Sequence, residues 1–266
     1  MSEIITVEQP QMLEAITRSE IDVQIATAKR YPREVDTVLK RVKTLALTDA
    51  ESAQGCFYAL KRQGKIIEGL SVRMAEILAD CWGNIRTAAR IIGNDGKTIT
   101  AQGVCHDLET NTAVSVEVKR RITDKDGRTY SEDMQVTTGN AACAIAYRNA
   151  VLKIIPKAVT AKTIKQIKEV AFQGGFNPVD SYNKWAEYFR SIKVTEPMLL
   201  YYLGITDKAE YGKEQHQSLV GVYNAITEGQ TTAKECFIDP YNAQQAKNEA
   251  NKAAEAVTEA MAKSKK

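Results

Sequence analysis

The feature that most constrains this chain is a change of hydrophobic period near residue 84. Before it, REVDTVLKRVKTLAL (33–47) and GLSVRMAEILADCWGN (69–84) repeat apolar residues at the 3.6-residue spacing of a helix. After it, IRTAARII (85–92), KTITAQGVCHDL (97–108) and AVSVEVKRRI (113–122) alternate apolar and polar residues, which is the period of a strand. The sequence therefore predicts an α+β fold in which helices precede a sheet.

Short turn signals separate the alternating segments and indicate how the strands connect. NDG (94–96), ETN (109–111) and DKDG (124–127) each favour a tight reversal. RTYSEDMQVT (128–137) follows the last turn, so we predict an antiparallel meander of about four strands. TGNAACAIAYRNAVLKII (138–155) and AKTIKQIKEVAF (161–172) then predict two helices that pack with the sheet.

The C-terminal third predicts a separate helical domain. QGGFNPVD (173–180) reads as a linker because it contains two glycines and a proline. Beyond it, Trp185, Tyr188, Phe189 and Ile192 recur at helical spacing. We predict a core of residues 1–172, a small helical domain at 181–238, and a solvated or disordered tail at 239–266 whose composition turns to Ala, Lys, Glu, Asn and Gln.

Composition narrows the class of protein. No apolar run approaches the roughly 20 residues that span a bilayer, and the start MSEIITVEQP lacks the basic and apolar parts of a signal peptide. The five cysteines are scattered and odd in number, which favours a reducing compartment over a disulfide framework. We expect a cytoplasmic protein.

Positive charge is concentrated in the middle of the chain. The net charge is only +3, yet residues 61–168 carry 18 Lys and Arg against 11 Asp and Glu. Met134 to Lys168 contains no acidic residue at all. Such a region attracts polyanions, although a solvated helical face has the same composition.

Strand parity divides the cations of the predicted sheet. Arg86 and Arg90 share one face of their strand, and Lys119 and Arg121 share the polar face of another. Arg120 instead continues the apolar row and must emerge at the end of the sheet or meet a partner. Cations spread along strands and on the next helix suit a groove that follows phosphates; a solvated sheet edge is the alternative.

Two apparent motifs do not define an active site. GNDGKT (93–98) has only two residues between its glycines, so it predicts a hairpin turn and no phosphate loop. His106 and His216 are the only histidines, and Cys105 points away from His106 in a strand, so we predict neither a metal site nor a catalytic triad.

One enzymatic alternative stays open at the sequence level. Asp107 followed by Glu117 and Lys119 resembles the carboxylate and E-x-K layout by which two-metal nucleases hold Mg²⁺. Glu117 and Lys119 lie on one strand face, where the same pair also occurs as a surface ion pair. A non-catalytic interaction protein, whose basic surface docks on an acidic partner, is a further alternative.

Three segments carry a resemblance to a known family. GLSVRMAEILADCWGN, TAQGVCHDLETNTAVSVEVKRRITDKDGR and GNAACAIAYRNAVLKIIPKA resemble the single-strand annealing proteins, which include the eukaryotic Rad-fifty-two protein and phage recombinases of the Redβ, RecT and Erf kind. The likeness covers about residues 55–172. LVGVYNAITEGQTTAKECF is similar, more loosely, to a C-terminal module of some phage members.

The resemblance implies a β-β-β-α core that binds single-stranded DNA and anneals complementary strands in phage recombination, without ATP, cofactor, metal or covalent chemistry. It implies self-assembly into rings or helical filaments in the host cytoplasm, and a single-strand-binding protein or a phage exonuclease as partner. Combined with the charge pattern, it predicts these DNA-binding residues: Arg86, Arg90, Lys119, Arg120, Arg121, Arg128, Arg148, Lys153 and Lys157.

Overall fold

The computed structural model describes residues 9–62, 65–124, 126–173 and 176–263. Within these residues the fold is mixed α+β, as the change of hydrophobic period predicts. The chain forms two compact units. The first comprises residues up to 49 together with 72–167, and the second comprises 50–71 together with 168 onward.

The first unit contains a three-stranded antiparallel sheet, four whole helices and the first part of a fifth. The helices are α1 (Gln9–Arg30), α2 (Val35–Ala46), α4 (Val72–Trp82), α5 (Glu132–Ile154) and the first part of α6 (Lys157–Gln173). The strands are β3 (Ile85–Asn94), β4 (Thr98–Asp107) and β5 (Thr112–Arg121), in the order β3-β4-β5. The two predicted N-terminal helical patterns and the three alternating segments are therefore confirmed.

The predicted NDG hairpin turn is also confirmed. Gly96 has φ +80°, a conformation that glycine adopts without strain. The Asp95 carboxylate accepts hydrogen bonds from the N–H groups of Lys97 and Thr98 at 2.9 and 2.6 Å, and these bonds lower its pKa. GNDGKT thus closes a β-hairpin.

The prediction of a fourth meander strand is wrong. Thr129 makes a single β-bridge with Thr123, and α5 begins three residues later at Glu132. Ser131 caps this helix by accepting from the Met134 N–H, and two acidic residues occupy its first turn. Both features stabilise a helix start, so local capping outweighs the strand pattern in this segment.

Small residues let α5 lie close to the sheet. α5 packs across all three strands. Ala101 on β4 and Ala142 and Ala146 on α5 are fully buried together, with Val118 beside them. A Cβ added to Gly103 would overlap the Ala146 carbonyl, so only glycine permits this approach of strand and helix.

The second unit begins with a short helix and with a hairpin that the sequence did not predict. They are α3 (Ala50–Gly55) and a hairpin of β1 (Phe57–Arg62) with β2 (Lys65–Leu70). α9 (Lys213–Thr227) packs on β1, and a Cβ on Gly221 would overlap Ala59. The Asn224 side chain donates to the backbone carbonyls of Gln54 and Phe57 and ties the helix to this segment.

The predicted C-terminal helices are confirmed and enclose an aromatic core. They are α7 (Pro178–Ser191), α8 (Glu196–Leu203) and α9, followed by α10 (Asp239–Lys263) after a π-helical turn (Lys234–Ile238). Trp185 and Phe189 of α7 are buried, and Phe189 contacts Phe237 at 4.9 Å between ring centroids. Nearly all side chains of α10 up to residue 255 are exposed.

The division between the units does not coincide with the predicted boundary at residue 172. It falls inside α6, between Ile167 and Lys168, and it places residues 50–71 with the C-terminal part. The linker prediction covers Gly174 and Gly175, which lie outside the described residues. Among the described helices, none combines the length and apolar character that crossing a bilayer requires.

Candidate nucleic-acid interface

The two faces of the β3-β4-β5 sheet have opposite characters. Along β4, alternate residues from Ile99 to Asp107 are buried, and those between them are only half-buried. The buried set includes Ala101 and Gly103, which contact α5. Because paired residues of antiparallel strands share a face, the register assigns the paired sheet residues to the α5 side or to the other side; Ile92, at a register shift in β3, has no partner.

We call the side away from α5 the open face. Its members are Arg86, Ala88 and Arg90 on β3, then Thr98, Thr100, Gln102, Val104 and His106 on β4, and Ala113, Ser115, Glu117, Lys119 and Arg121 on β5. Each of these residues is exposed or half-buried. The Arg86 guanidinium donates to the Gln24 side chain of α1 at 3.5 Å, and away from this contact the open face is accessible to a ligand.

Four of the predicted DNA-binding cations lie together on the open face. They are Arg86, Arg90, Lys119 and Arg121, which confirms the face assignments made from strand parity. Arg86 pairs with His106 and Arg121 is level with Thr98, eight residues away along β4. At about 3.4 Å per residue the cations extend over about 27 Å along the strand direction while they cross the sheet from β3 to β5.

The middle of the open face carries small or uncharged side chains, chiefly Ala88, Thr100, Val104 and Ser115. Arg90 donates to the Gln102 amide oxygen at 3.2 Å, and Glu117 is the one carboxylate on this face. Such a surface can hold phosphates at its cations while it offers few groups that distinguish one base from another. It suits sequence-independent binding of a strand.

Arg120 and Arg128 do not belong to the open face. Arg120 pairs with Ile99, lies on the α5 side and is half-buried, in agreement with its place in the apolar row. Arg128 is exposed in the turn after β5, where its backbone N–H donates to the Asp124 carboxylate at 2.8 Å. Lys119 and Arg121 thus lie on the open face, whereas Arg120 between them lies on the α5 side.

The structure also separates the predicted helix cations from the open face. Arg148 lies within α5 and is 7% exposed, and its guanidinium donates to the Asn149 side chain at 3.2 Å. Lys153 is exposed at the end of α5, and Lys157 is exposed at the start of α6. The nine predicted cations therefore do not form a single surface, since Arg148 is buried in α5, which packs on the side of the sheet opposite the open face.

Asp107, a residue of the nuclease alternative, belongs to a buried ionic cluster. The Arg33 guanidinium donates to its two oxygens at 2.5 and 3.0 Å, and the Trp82 indole N–H donates at 3.2 Å. Burial raises the pKa of Asp107, but the bonds from Arg33, Trp82 and the Thr110 N–H outweigh it and lower the pKa to about 2. The carboxylate is thus held by an ion pair and hydrogen bonds within the fold.

The geometry does not assemble the nuclease site. Asp107 lies on the α5 side of β4, whereas Glu117 and Lys119 lie on the open face. Glu117 is level with Gln102, five residues from Asp107 along β4. No group of three or more potential metal ligands occurs within the described ranges. Cys105 and His106 likewise point to opposite faces, as their strand parity predicts.

Sequence reasoning missed the partners of Asp107. Arg33 follows Pro32 in a loop between two helices, and its guanidinium stacks over Trp82 at 4.6 Å from the ring centroid. Glu109 accepts from the Arg33 N–H at 2.9 Å and from the Asn84 side chain at 2.6 Å. The contacts of Arg33 with Asp107 and Glu109 join positions more than 70 residues apart, so no local period could reveal them.

The chain matches no protein-family model, no curated protein and no solved structure. The resemblance to single-strand annealing proteins thus rests on the sequence segments quoted above and stays a prediction. The strand register brings four of the predicted cations together on the open face.

Proposed function

We propose that this chain binds single-stranded DNA on the open face and promotes annealing of complementary strands without ATP. One observation carries the proposal: Arg86, Arg90, Lys119 and Arg121 share one face of the sheet and form a diagonal that extends about 27 Å along the strand direction. The resemblance of residues 55–172 to annealing proteins gives independent support. Known single-strand modules cover about four or more nucleotides each, which suits such a length.

The proposed mechanism needs no covalent step. Cations on the open face lower the repulsion between two phosphate chains, and uncharged side chains between them leave the bases available to pair. Base pairing itself then supplies sequence specificity. We further propose, from the resemblance, that copies of the chain assemble into a ring or filament in a bacterial host, so that many nucleotides are held at once.

A paired substitution tests the open face. Lys119→Ala/Arg121→Ala should weaken binding of a labelled oligonucleotide and reduce the slope of log K against log salt by about two, one for each lost phosphate contact. Fluorescence anisotropy over a salt series measures both quantities. Lys29→Ala/Arg73→Ala is the matched control, since both residues are exposed cations of the first unit that lie off the open face. Equal affinities and slopes in the two variants would reject the assignment.

A further inference from the structure

His216 is a buried histidine of α9, in the second unit, that the proposed function does not use. It is 8% exposed, and the rings of Phe176 and Trp185 lie 5.1 and 6.5 Å from its ring between centroids. Its Nδ1 lies 3.1 Å from the Tyr211 hydroxyl, and its Nε2 lies 3.5 Å from the side-chain amide nitrogen of Gln54 on α3. Both ring nitrogens therefore have a polar partner within this unit.

The contact with Gln54 determines which ring nitrogen of His216 carries the proton. The same amide nitrogen of Gln54 also donates to the Ala171 backbone carbonyl at 3.2 Å. Because a carbonyl only accepts, the amide cannot be turned to place its oxygen there. A Gln54 N–H therefore also faces the ring, so Nε2 accepts and Nδ1 donates to Tyr211. The imidazole in this arrangement is neutral.

The groups that face His216 from the surrounding elements all oppose a second proton on the ring. A proton on Nε2 would set two donors against each other at Gln54, and turning the amide would set its oxygen against the Ala171 carbonyl. Burial lowers the pKa of His216, and the Lys184 ammonium on α7 lowers it further. Burial also raises the pKa of the Tyr211 phenol, which stays uncharged. These neighbours supply no negative charge to stabilise an imidazolium.

We propose that His216 and Gln54 form a pH-sensitive latch, which holds α3 on α9 at neutral pH and releases it in mild acid. Asn224, two turns further along α9, holds the same segment through the backbone carbonyls of Gln54 and Phe57. Protonation of His216 replaces one attractive contact by a repulsive one, and the charged ring gains hydration only when α3 moves away. The latch goes beyond the proposed function, because it lies within the second unit and requires no nucleic acid.

The direction of the pH dependence follows from the two states of the latch. In the released state the ring is in water, where a histidine has a pKa of about 6.5. In the closed state the pKa of His216 is lower, so acid favours release. The latch thus contributes its full stability above about pH 6.5 and loses it progressively below that value. At pH 5.5 the released population can rise by at most about tenfold, which is the gain from protonating a free imidazole.

Amide hydrogen exchange of residues 50–60, followed by mass spectrometry of the full chain at pH 7.5 and 5.5, tests the latch. His216→Gln is the variant that does not titrate, because an amide can donate to Tyr211 and accept from Gln54 at either pH. His106→Gln is the matched control, since His106 is the other histidine of the chain and lies in the first unit. Comparing each variant with wild type at the same pH cancels the intrinsic effect of pH on exchange.

We expect the ratio of the wild-type exchange rate to that of His216→Gln to rise severalfold between pH 7.5 and 5.5, and by no more than about tenfold. The ratio of wild type to His106→Gln should be the same at both values. An unchanged ratio for His216→Gln would overturn the latch. An equal rise for His106→Gln would also overturn it, because the response to acid would then not belong to His216.

Gln54→Glu keeps the latch testable if His216→Gln does not fold. A carboxylate at this position accepts from a protonated Nε2, so it stabilises the charged ring that the amide disfavours. Relative to wild type, exchange of residues 50–60 in this variant should therefore become slower as the pH falls from 7.5 to 5.5. Acceleration by acid as large as in the wild type would contradict the latch. Neither comparison involves DNA, so its result is distinct from a failure of the proposed function.

Discussion

At the scale of single residues, the ionic cluster around Asp107 fixes one end of the sheet. Arg33 neutralises this carboxylate, Trp82 donates to it and stacks on the guanidinium, and Glu109 receives the Arg33 backbone N–H. A charge buried this deeply is tolerated only with such partners, since an unpaired one costs several kcal/mol. The cluster joins the loop before α2 to the end of β4.

The cluster makes stability sensitive to acid. The folded pKa of Asp107, about 2, lies below the usual unfolded value of about 3.9, so the ionised carboxylate stabilises the fold above that value. This contribution, about 2 kcal/mol at neutral pH, should disappear as the pH falls from about 4 to about 2. Urea unfolding of wild type and Asp107→Asn over this pH range measures it. A difference between them that does not shrink with falling pH would contradict this role.

Gly103 provides a second test at this scale. Gly103→Ala should lower the free energy of unfolding by about 3 kcal/mol, because the new Cβ overlaps the Ala146 carbonyl and forces α5 away from the sheet. Gly93→Ala is the control, since its Cβ would find no atom of the described chain closer than 3.9 Å. Thermal and urea unfolding compare the two. Similar stabilities would mean that the helix can shift without cost.

At the scale of elements, strand parity predicted correctly which side chains share a face of the sheet. It did not predict their contacts with other elements. The period of two placed Arg86, Arg90, Lys119 and Arg121 on polar faces, and the register confirms that these faces are one surface. Parity fixes which residues share a side, because the pleat alternates regardless of tertiary context.

Other element-scale features depended on information outside the local pattern. The segment at 128–137 alternates enough to suggest a strand, yet Ser131 and the acidic turn after it start α5. Arg148 was predicted as a DNA-binding cation but is buried, since the packing of α5 decides which of its side chains face the protein interior. The β1-β2 hairpin was not predicted, because its strands are short and because α9, the helix that packs on β1, is remote in sequence.

Glu117 gives the element-scale prediction. Removing the one carboxylate of the open face in Glu117→Gln should strengthen binding of single-stranded DNA by a few-fold, because a repulsive charge beside the phosphate track is lost. Anisotropy titrations at low salt measure the change, and Glu76→Gln on α4 is an exposed control. Weaker binding would contradict this expectation. DNA loss in Mg²⁺ that Glu117→Gln abolishes would instead favour the nuclease alternative.

At the scale of the whole molecule, the proposed annealing activity places its primary site in the first unit. The open face belongs to that unit. The second unit has its own aromatic core and carries the exposed helix α10. From the family resemblance we propose that this second unit recruits a partner protein, such as a single-strand-binding protein.

An annealing assay tests the central claim most directly. Two complementary oligonucleotides, each labelled with one member of a fluorophore and quencher pair, are mixed at low salt without ATP, with and without the protein. We expect faster quenching with wild type and with Lys29→Ala/Arg73→Ala, and a clearly slower reaction with Lys119→Ala/Arg121→Ala. If wild-type protein leaves the rate at its spontaneous value, the claim that this chain anneals DNA is contradicted.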